Sequence, residues 1–290
     1  KWEATIMNAL QLLPLDENGL VYNDPAIQYS TFGLIDCIAV NGSVLEASTL
    51  LWKAYTLMAQ WQTALGHDST EAHLAAKRIE ESLERTFYNE EYGLLNAATG
   101  DNCQPDILGT ILTVSLGFPL SEKARTEIAR YLCEHYDEIV QYGYVRHLPG
   151  GTYWEKKITL VPPDQYMDGA YWAPFTGWFV DAIKDYDPAL AQRTVKNLIT
   201  YGYYHGFYEC INGKDGKLRD YVNSVTNVLT VARELLTVSA ETVTIEGDTS
   251  LITGQEGNFA AVVRPENATI RSIAWLLDDE QIGEGMTLHY

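Results

Sequence analysis

Two kinds of helix alternate along the first 238 residues, and this alternation restricts the fold more than any other feature of the chain. Between residues 44 and 65, Val44, Ala47, Leu51, Ala54, Met58, Trp61 and Leu65 recur at steps of three and four, while Leu50, Leu57 and Ala64 carry a second apolar side. Only a narrow polar strip is left, the pattern of a helix buried nearly all round. Ser43 followed by Glu46 spells a capping box at its start, and Gly66 closes it. Residues 69–88 differ: Ala72, Ala76, Ile79, Leu83 and Phe87 form one stripe and charged residues fill the rest, so one face meets water.

The alternation then repeats. Residues 105–116 are apolar on most sides and 122–136 are amphipathic. Residues 169–184 read as a buried aromatic helix, 188–203 as a one-sided helix opening on Pro188, and 219–236 as buried again. A further helix is expected at 1–13. Buried and exposed helices in turn are what a double-layered ring of helical hairpins requires. A tetratricopeptide-like array would instead show a fixed repeat of about 34 residues, and none is present.

From residue 239 the period changes. Thr242–Ile245 alternates, and apolar runs at 258–263 and 270–277 follow, separated by Gly, Asp and Pro-Glu-Asn turns. Residues 239–290 are therefore expected to form a minimal or incomplete immunoglobulin-like β module behind a mainly α domain at 1–238.

In a hairpin ring the inner helices run parallel, so the loops entering their N-termini gather at one end. Segments 14–43, 96–106, 142–169 and 204–219 would then surround one pocket. They hold Asp16, Asp24, Tyr29, Asp36, Asp101, Asn102, Gln104, Tyr144, Arg146, His147, Tyr153, Trp154, Tyr166, Asp168, Tyr204, His205, Tyr208 and Glu209, with Tyr203 just before the last segment. Carboxylates and aromatic rings with few cations suit a neutral sugar, whose C–H faces stack on rings and whose hydroxyls bond to carboxylates. A net charge of −19, with 20 Lys and Arg against 39 Asp and Glu, excludes nucleic acid as a partner. No apolar run reaches the ~18 residues needed to span a bilayer. Four scattered cysteines (Cys37, Cys103, Cys133, Cys210) show no metal-ligand spacing, so no metal or cofactor is expected.

Four of these stretches carry a resemblance. Tyr29-Ser-Thr-Phe-Gly-Leu-Ile-Asp36, running on through Gly42-Ser-Val-Leu-Glu-Ala-Ser-Thr-Leu-Leu-Trp52, is similar to the Thr-Trp-Met-Asp…Val-Glu-hydrophobic-Leu-Trp stretch of glycogen-debranching-type glucosidases. Cys103-Gln-Pro-Asp106-Ile-Leu with Leu116-Gly-Phe-Pro-Leu resembles their Gln-Pro-Asp…Leu-Gly-Leu-Pro segment. Tyr166-Met-Asp-Gly-Ala-Tyr-Trp172 looks like a Tyr-x-Asn-Gly-x-x-Trp element, and Gly206-Phe-Tyr-Glu209 resembles the segment bearing the base. In order over about 15–237, these place the chain beside the six-hairpin glycosidases. The resemblance implies an α/α toroid and an inverting glycoside hydrolase acting on a neutral oligosaccharide or polysaccharide. Asp36 would be the general acid and Glu209 the general base, with Tyr29, Gln104, Trp154, Tyr166, Asp168, Trp172 and His205 around the sugar.

The apolar neighbours Leu34, Ile35, Cys37 and Ile38 are expected to raise the Asp36 pKa and keep it protonated. Departures from the pattern are Leu-Ile-Asp36 for aromatic-Met-Asp, and Asp168-Gly169 for Asn-Gly. Asp168 is therefore read as a sugar ligand, a rival acid or the N-cap of the aromatic helix. Glu46 is read as a capping-box partner and Asp106 as a first-turn acid favoured by the helix dipole. About eight helices against a full ring's twelve imply that an N-terminal part of the same protein, or a second chain, completes the ring. A secreted, periplasmic or cell-surface location fits, with the cytoplasm left open. The alternatives are a sugar-binding or surface-assembly protein without turnover, and a phosphorylase. The latter would need an anion pocket near Glu209, where only His205 and Lys214 are close in sequence.

Overall fold

The computed structural model describes residues 2–27, 36–213, 215–236, 242–248, 255–264, 273–277 and 280–289. The chain divides into two compact units, residues 1–232 and 233–290.

The first unit is mainly α. After α1 (Trp2–Gln11) and a two-residue ladder of β1 (Tyr22–Asn23) with β2 (Gly42–Ser43), α2 runs Leu45–Ala64. Then come α3 (Thr70–Glu80), α4 (Leu83–Phe87), the ladder β3 (Tyr88–Asn89) with β4 (Leu94–Leu95), and α5 (Ile107–Ser115). Next are α6 (Glu122–Glu134), α7 (Tyr136–Ile139), α8 (Thr176–Ile183), α9 (Pro188–His205) and α10 (Asn223–Leu236). The inner row is α2 against α5 and α5 against α8, with α3 behind α2 and α9 behind α8. Residues 107–113 of α5 are all buried, as a helix flanked on both sides must be. No helix among the described residues is long and apolar enough to cross a membrane.

The structure corrects several readings of the sequence. The capping box at α2 does not form: Val44 is the N-cap, and the Ser43 hydroxyl donates instead to Asp16, 2.6 Å away. Helix α2 is not buried all round: Leu57 and Trp61 are about half exposed, as is Leu65 at its C-cap, and Trp61 and Leu65 line a cleft with Trp2 and Glu3 of α1. Residues 219–236 bury only one face, with Val228, Val231 and Ala232 inside and Val222 and Leu229 exposed.

Residues 169–184 begin as strand rather than helix. Tyr171–Trp172 (β7) lie at the centre of an antiparallel sheet ordered β5 (Val140–Gln141), β6 (Tyr144–Arg146), β7, β8 (Tyr208–Asn212), β9 (Asp215–Arg219). Two large aromatic residues suit a pleated, half-buried surface. Pro174, with no N–H to offer a helix interior, sits in the 3-10 turn Ala173–Phe175 that opens α8. Segment 204–219, expected as a loop, is largely the β8–β9 hairpin.

The second unit is β. Strands β10 (Thr242–Gly247), β11 (Asn258–Arg264) and β14 (Thr287–His289) form one antiparallel sheet. Strands β12 (Ala274–Leu277) and β13 (Glu280–Glu284) form a bulged hairpin.

Candidate active site

Three loops are laced together where α2 and α5 begin. The Leu45 N–H donates to the Ala97 carbonyl at 2.9 Å, and the Ile107 N–H to the His147 carbonyl at 2.7 Å, so both helix starts are anchored by loop backbone. Buried Asn102, in the left-handed region at φ 59°, gives its amide N–H groups to the Ala39 and Lys156 carbonyls and accepts from the Lys156 N–H. Asparagine suits this point because its short amide tolerates that conformation and both donates and accepts. Gln104 does the same one step on, donating to the Tyr153 carbonyl at 3.1 Å and accepting from the Glu155 N–H at 3.2 Å. Ile38 bridges to Lys157, and the Ile158 N–H donates to the Cys37 carbonyl.

That lacing brings together the two carboxylates named by the sequence. Asp36 is exposed, and its Oδ2 receives a long hydrogen bond, 3.4 Å, from the Tyr166 hydroxyl. Glu209 stands half-buried on β8; burial raises its pKa, and the nearby charge of Asp36 raises it further. Tyr166 feels both: burial pushes its phenol up first, then the charges of Asp36 and Glu209. Its backbone is held at φ 46°, a costly conformation for a bulky residue, and its carbonyl accepts from the Trp172 indole at 3.1 Å. A cleft of about 90 Å3 lies against Tyr166, lined also by Gln165, Cys210, Asn212, Asp215 and Lys217. Polar groups on both of its walls can exchange hydrogen bonds with hydroxyls.

Of the apolar neighbours expected around Asp36, Cys37 and Ile38 turn into the interior while Asp36 itself is exposed, and Leu34 and Ile35 lie outside the described residues. The other expected residues divide sharply. Asp168 is fully buried and caps no helix: its Oδ1 accepts from the Trp154 N–H at 2.8 Å and its Oδ2 pairs with Lys157 at 2.6 Å. Both of its oxygens are thus engaged within the loop wall, and no part of the side chain reaches the surface.

Trp154 is also interior, its indole bonded to the Met167 carbonyl at 2.9 Å. Trp172 is 1% exposed, packed between the rings of Tyr166, His147 and Phe175, and so is core rather than a sugar platform. Trp172→Ala should therefore cost about 3–5 kcal/mol in denaturant unfolding. A loss of ligand affinity at unchanged stability would return it to the pocket. Gln104 spends its amide on the loop. His205, exposed at the last turn of α9, lies against the ring of Tyr201. Tyr29 lies outside the described residues.

Beneath the loops are polar groups whose burial the sequence did not announce. Glu46 and Asp106, read as ordinary helix-start acids, are each 1% exposed. Both oxygens of Glu46 and the Oδ1 of Asp106 lack a hydrogen-bond partner. Burial, and then the neighbouring Asp106, holds the Glu46 pKa well above the usual range. Burial raises Asp106 to about 7, against the pull of the close Gly109 and Leu108 N–H groups. His147 is likewise interior, neutral because burial lowers its pKa to about 3, with both ring nitrogens unpartnered. The one available signal was position: both acids fall at the starts of helices of the inner row, α2 and α5. Among the described residues no three His, Cys, Asp or Glu side chains are grouped to hold a metal.

No protein-family model matches the chain, and no curated protein matches it in sequence. Solved structures similar to it include the GH63 mannosylglycerate hydrolase of Thermus thermophilus, at 16% identity and a TM-score of 0.49 over 65% of this chain and 48% of that one. The neutral trehalase of Saccharomyces cerevisiae is similar at 15% identity and a TM-score of 0.49, over 68% of this chain and 39% of that one. The chain thus spans less than half the length of either. At this level of superposition nothing about its chemistry follows from them, and the site's own geometry has to carry that. The likeness to these two solved structures is one of backbone over part of the chain.

Proposed function

We propose that the chain carries the catalytic part of a glycoside hydrolase that cleaves neutral O-glycosides with inversion. The observation supporting this most is the single tyrosine hydroxyl, that of Tyr166, influenced by two carboxylates from distant parts of the sequence. Inversion needs one carboxyl to protonate the leaving oxygen and another to activate water on the opposite face, about 6.5–9.5 Å away. In this reading Asp36 gives the proton and Glu209 receives one from water. A raised pKa makes Glu209 a stronger base once ionised.

That same raised pKa favours a second reading with the roles exchanged, Glu209 as donor and Asp36 as base, because a donor must hold its proton near neutrality. In either case the C-terminal β unit is an immunoglobulin-like accessory module.

The test is a panel of aryl glycosides and neutral oligosaccharides assayed for released reducing sugar, with and without phosphate. Phosphate-independent hydrolysis of at least one member is expected. Strict phosphate dependence would make the protein a phosphorylase, and binding without release would leave a sugar-binding protein.

A further inference from the structure

Tyr166 has to be held in its strained position by something, and the strap that carries it is closed by a charge. Residues 154–168 leave the loop wall and return to it. At one end the Lys157 backbone bridges to Ile38, two residues beyond Asp36. At the other, Asp168 follows Tyr166 by two residues, its N–H donating to the Gln165 carbonyl to close a tight turn. The Lys157 ammonium and the buried Asp168 carboxylate join these ends at 2.6 Å. The opposite oxygen of Asp168 takes the Trp154 N–H, so one side chain ties three points of the strap.

A second cation nearby, Arg146, is committed elsewhere. It donates to the Thr152 carbonyl at 2.6 Å, lies over the Tyr153 ring and stands 3.7 Å from Asp164. A buried carboxylate left without its cation is expensive, and the chain relieves that cost by moving the residues around it.

We propose that the Lys157–Asp168 ion pair is the clasp that sets the Tyr166 hydroxyl beside Asp36, making Lys157 a positioning residue for the reaction. The inference rests on the hydrolase reading for its kinetic consequence, but not for its structural one. Neutral hydrogen bonds, from the Trp154 indole to Met167 and from the Trp172 indole to Tyr166, keep the strap near the core. Beside the Cys37 thiol, which lies against the Met167 backbone, Lys157 supplies the ionic link between the Asp36 segment and the Tyr166 turn. Misplacing a group beside the reacting atoms by about 1 Å costs on the order of 100-fold in rate.

The experiment uses the full chain labelled with 3-fluorotyrosine, the Tyr166 fluorine resonance being assigned with Tyr166→Phe. In Lys157→Met this resonance should move toward that of an exposed tyrosine, and in Lys157→Arg it should return. Turnover of any glycoside the wild type cleaves should fall roughly 10- to 100-fold in Lys157→Met with little change in KM, and recover in Lys157→Arg. If Lys157→Met fails to fold, the double variant Lys157→Met/Asp168→Asn removes the buried charge along with its partner. It should fold with Tyr166 still displaced. A native Tyr166 resonance in a folded Lys157→Met or in the double variant would overturn the proposal. A wild type that cleaves no glycoside would count against the hydrolase reading alone, since the resonance decides the clasp without turnover.

Discussion

Glu209→Gln should leave a folded protein whose turnover falls by roughly 10^3-fold or more, and Asp36→Asn should do the same on substrates with ordinary sugar leaving groups. Glutamine keeps the shape of Glu209 on β8 and disturbs no hydrogen bond that builds the sheet, because those are backbone bonds. Asp36 is exposed and bonded only weakly to Tyr166, so asparagine there should leave stability unchanged to within about 0.5 kcal/mol. Loss of rate at retained melting temperature is therefore the signature of chemistry rather than packing. Substrates with strongly acidic leaving groups separate the two assignments. A leaving group that departs without a proton makes the donor dispensable, while the base is needed for every substrate. If Asp36 is the donor, Asp36→Asn keeps most activity on dinitrophenyl glycosides and Glu209→Gln loses it. The reverse outcome assigns the roles the other way. Full activity in either variant removes that residue from the mechanism.

The second large effect is on stability and concerns a pair that touches no substrate. Glu46 and Asp106 face one another at the starts of two inner helices with three oxygens unpartnered, and burial favours their neutral forms. A carboxyl whose pKa is raised by folding binds more protons folded than unfolded, so stability falls as pH rises. The contribution is complete below the ordinary carboxylate range, near pH 4, and is lost as pH climbs through about 7 for Asp106 and through the raised titration of Glu46. Wild type should lose on the order of 2–4 kcal/mol between pH 5 and pH 8 from this source. Glu46→Gln cannot ionise and should lose less, melting roughly 5–10 °C above wild type at pH 8 while matching it or falling below at pH 5. Thermal unfolding at four pH values checks this. An offset between the two proteins that stays constant with pH would mean that Glu46 exchanges no proton on folding.

The helices were legible because each reports on itself. The one-sided stripes of α3, α6 and α9 needed no knowledge of neighbours, and the Asp187-Pro188 start of α9 shows its cap, Asp187 accepting from the Leu190 N–H at 2.9 Å. The central sheet was not legible. Its strands β5, β6 and β7 are two or three residues long, too short for a period of two to register, and their pairing reaches across long stretches of chain. The same limit shaped the site. Asp36, Tyr166 and Glu209 were found by resemblance and then meet in space. Trp154, Asp168 and Trp172, of the same chemical types and in the same loops, turn inward. Residue type shows that a side chain can grip a sugar; only packing shows which way it faces. Glu46 failed in the opposite sense, since a capping box and a buried acid share one sequence position and differ in what α5 brings against them.

The proposal that Asp36 and Glu209 act from opposite faces of the sugar, with water between sugar and base, is open to one direct measurement. Proton NMR of the sugar released in the first minutes of turnover, before the anomers equilibrate, reads the configuration of the new hydroxyl. Hydrolysis by a water delivered opposite the leaving group yields the inverted anomer as first product. Release with the starting configuration retained would mean that a carboxylate itself attacks the sugar, from a separation of about 5 Å that leaves no space for the water, and would contradict the mechanism.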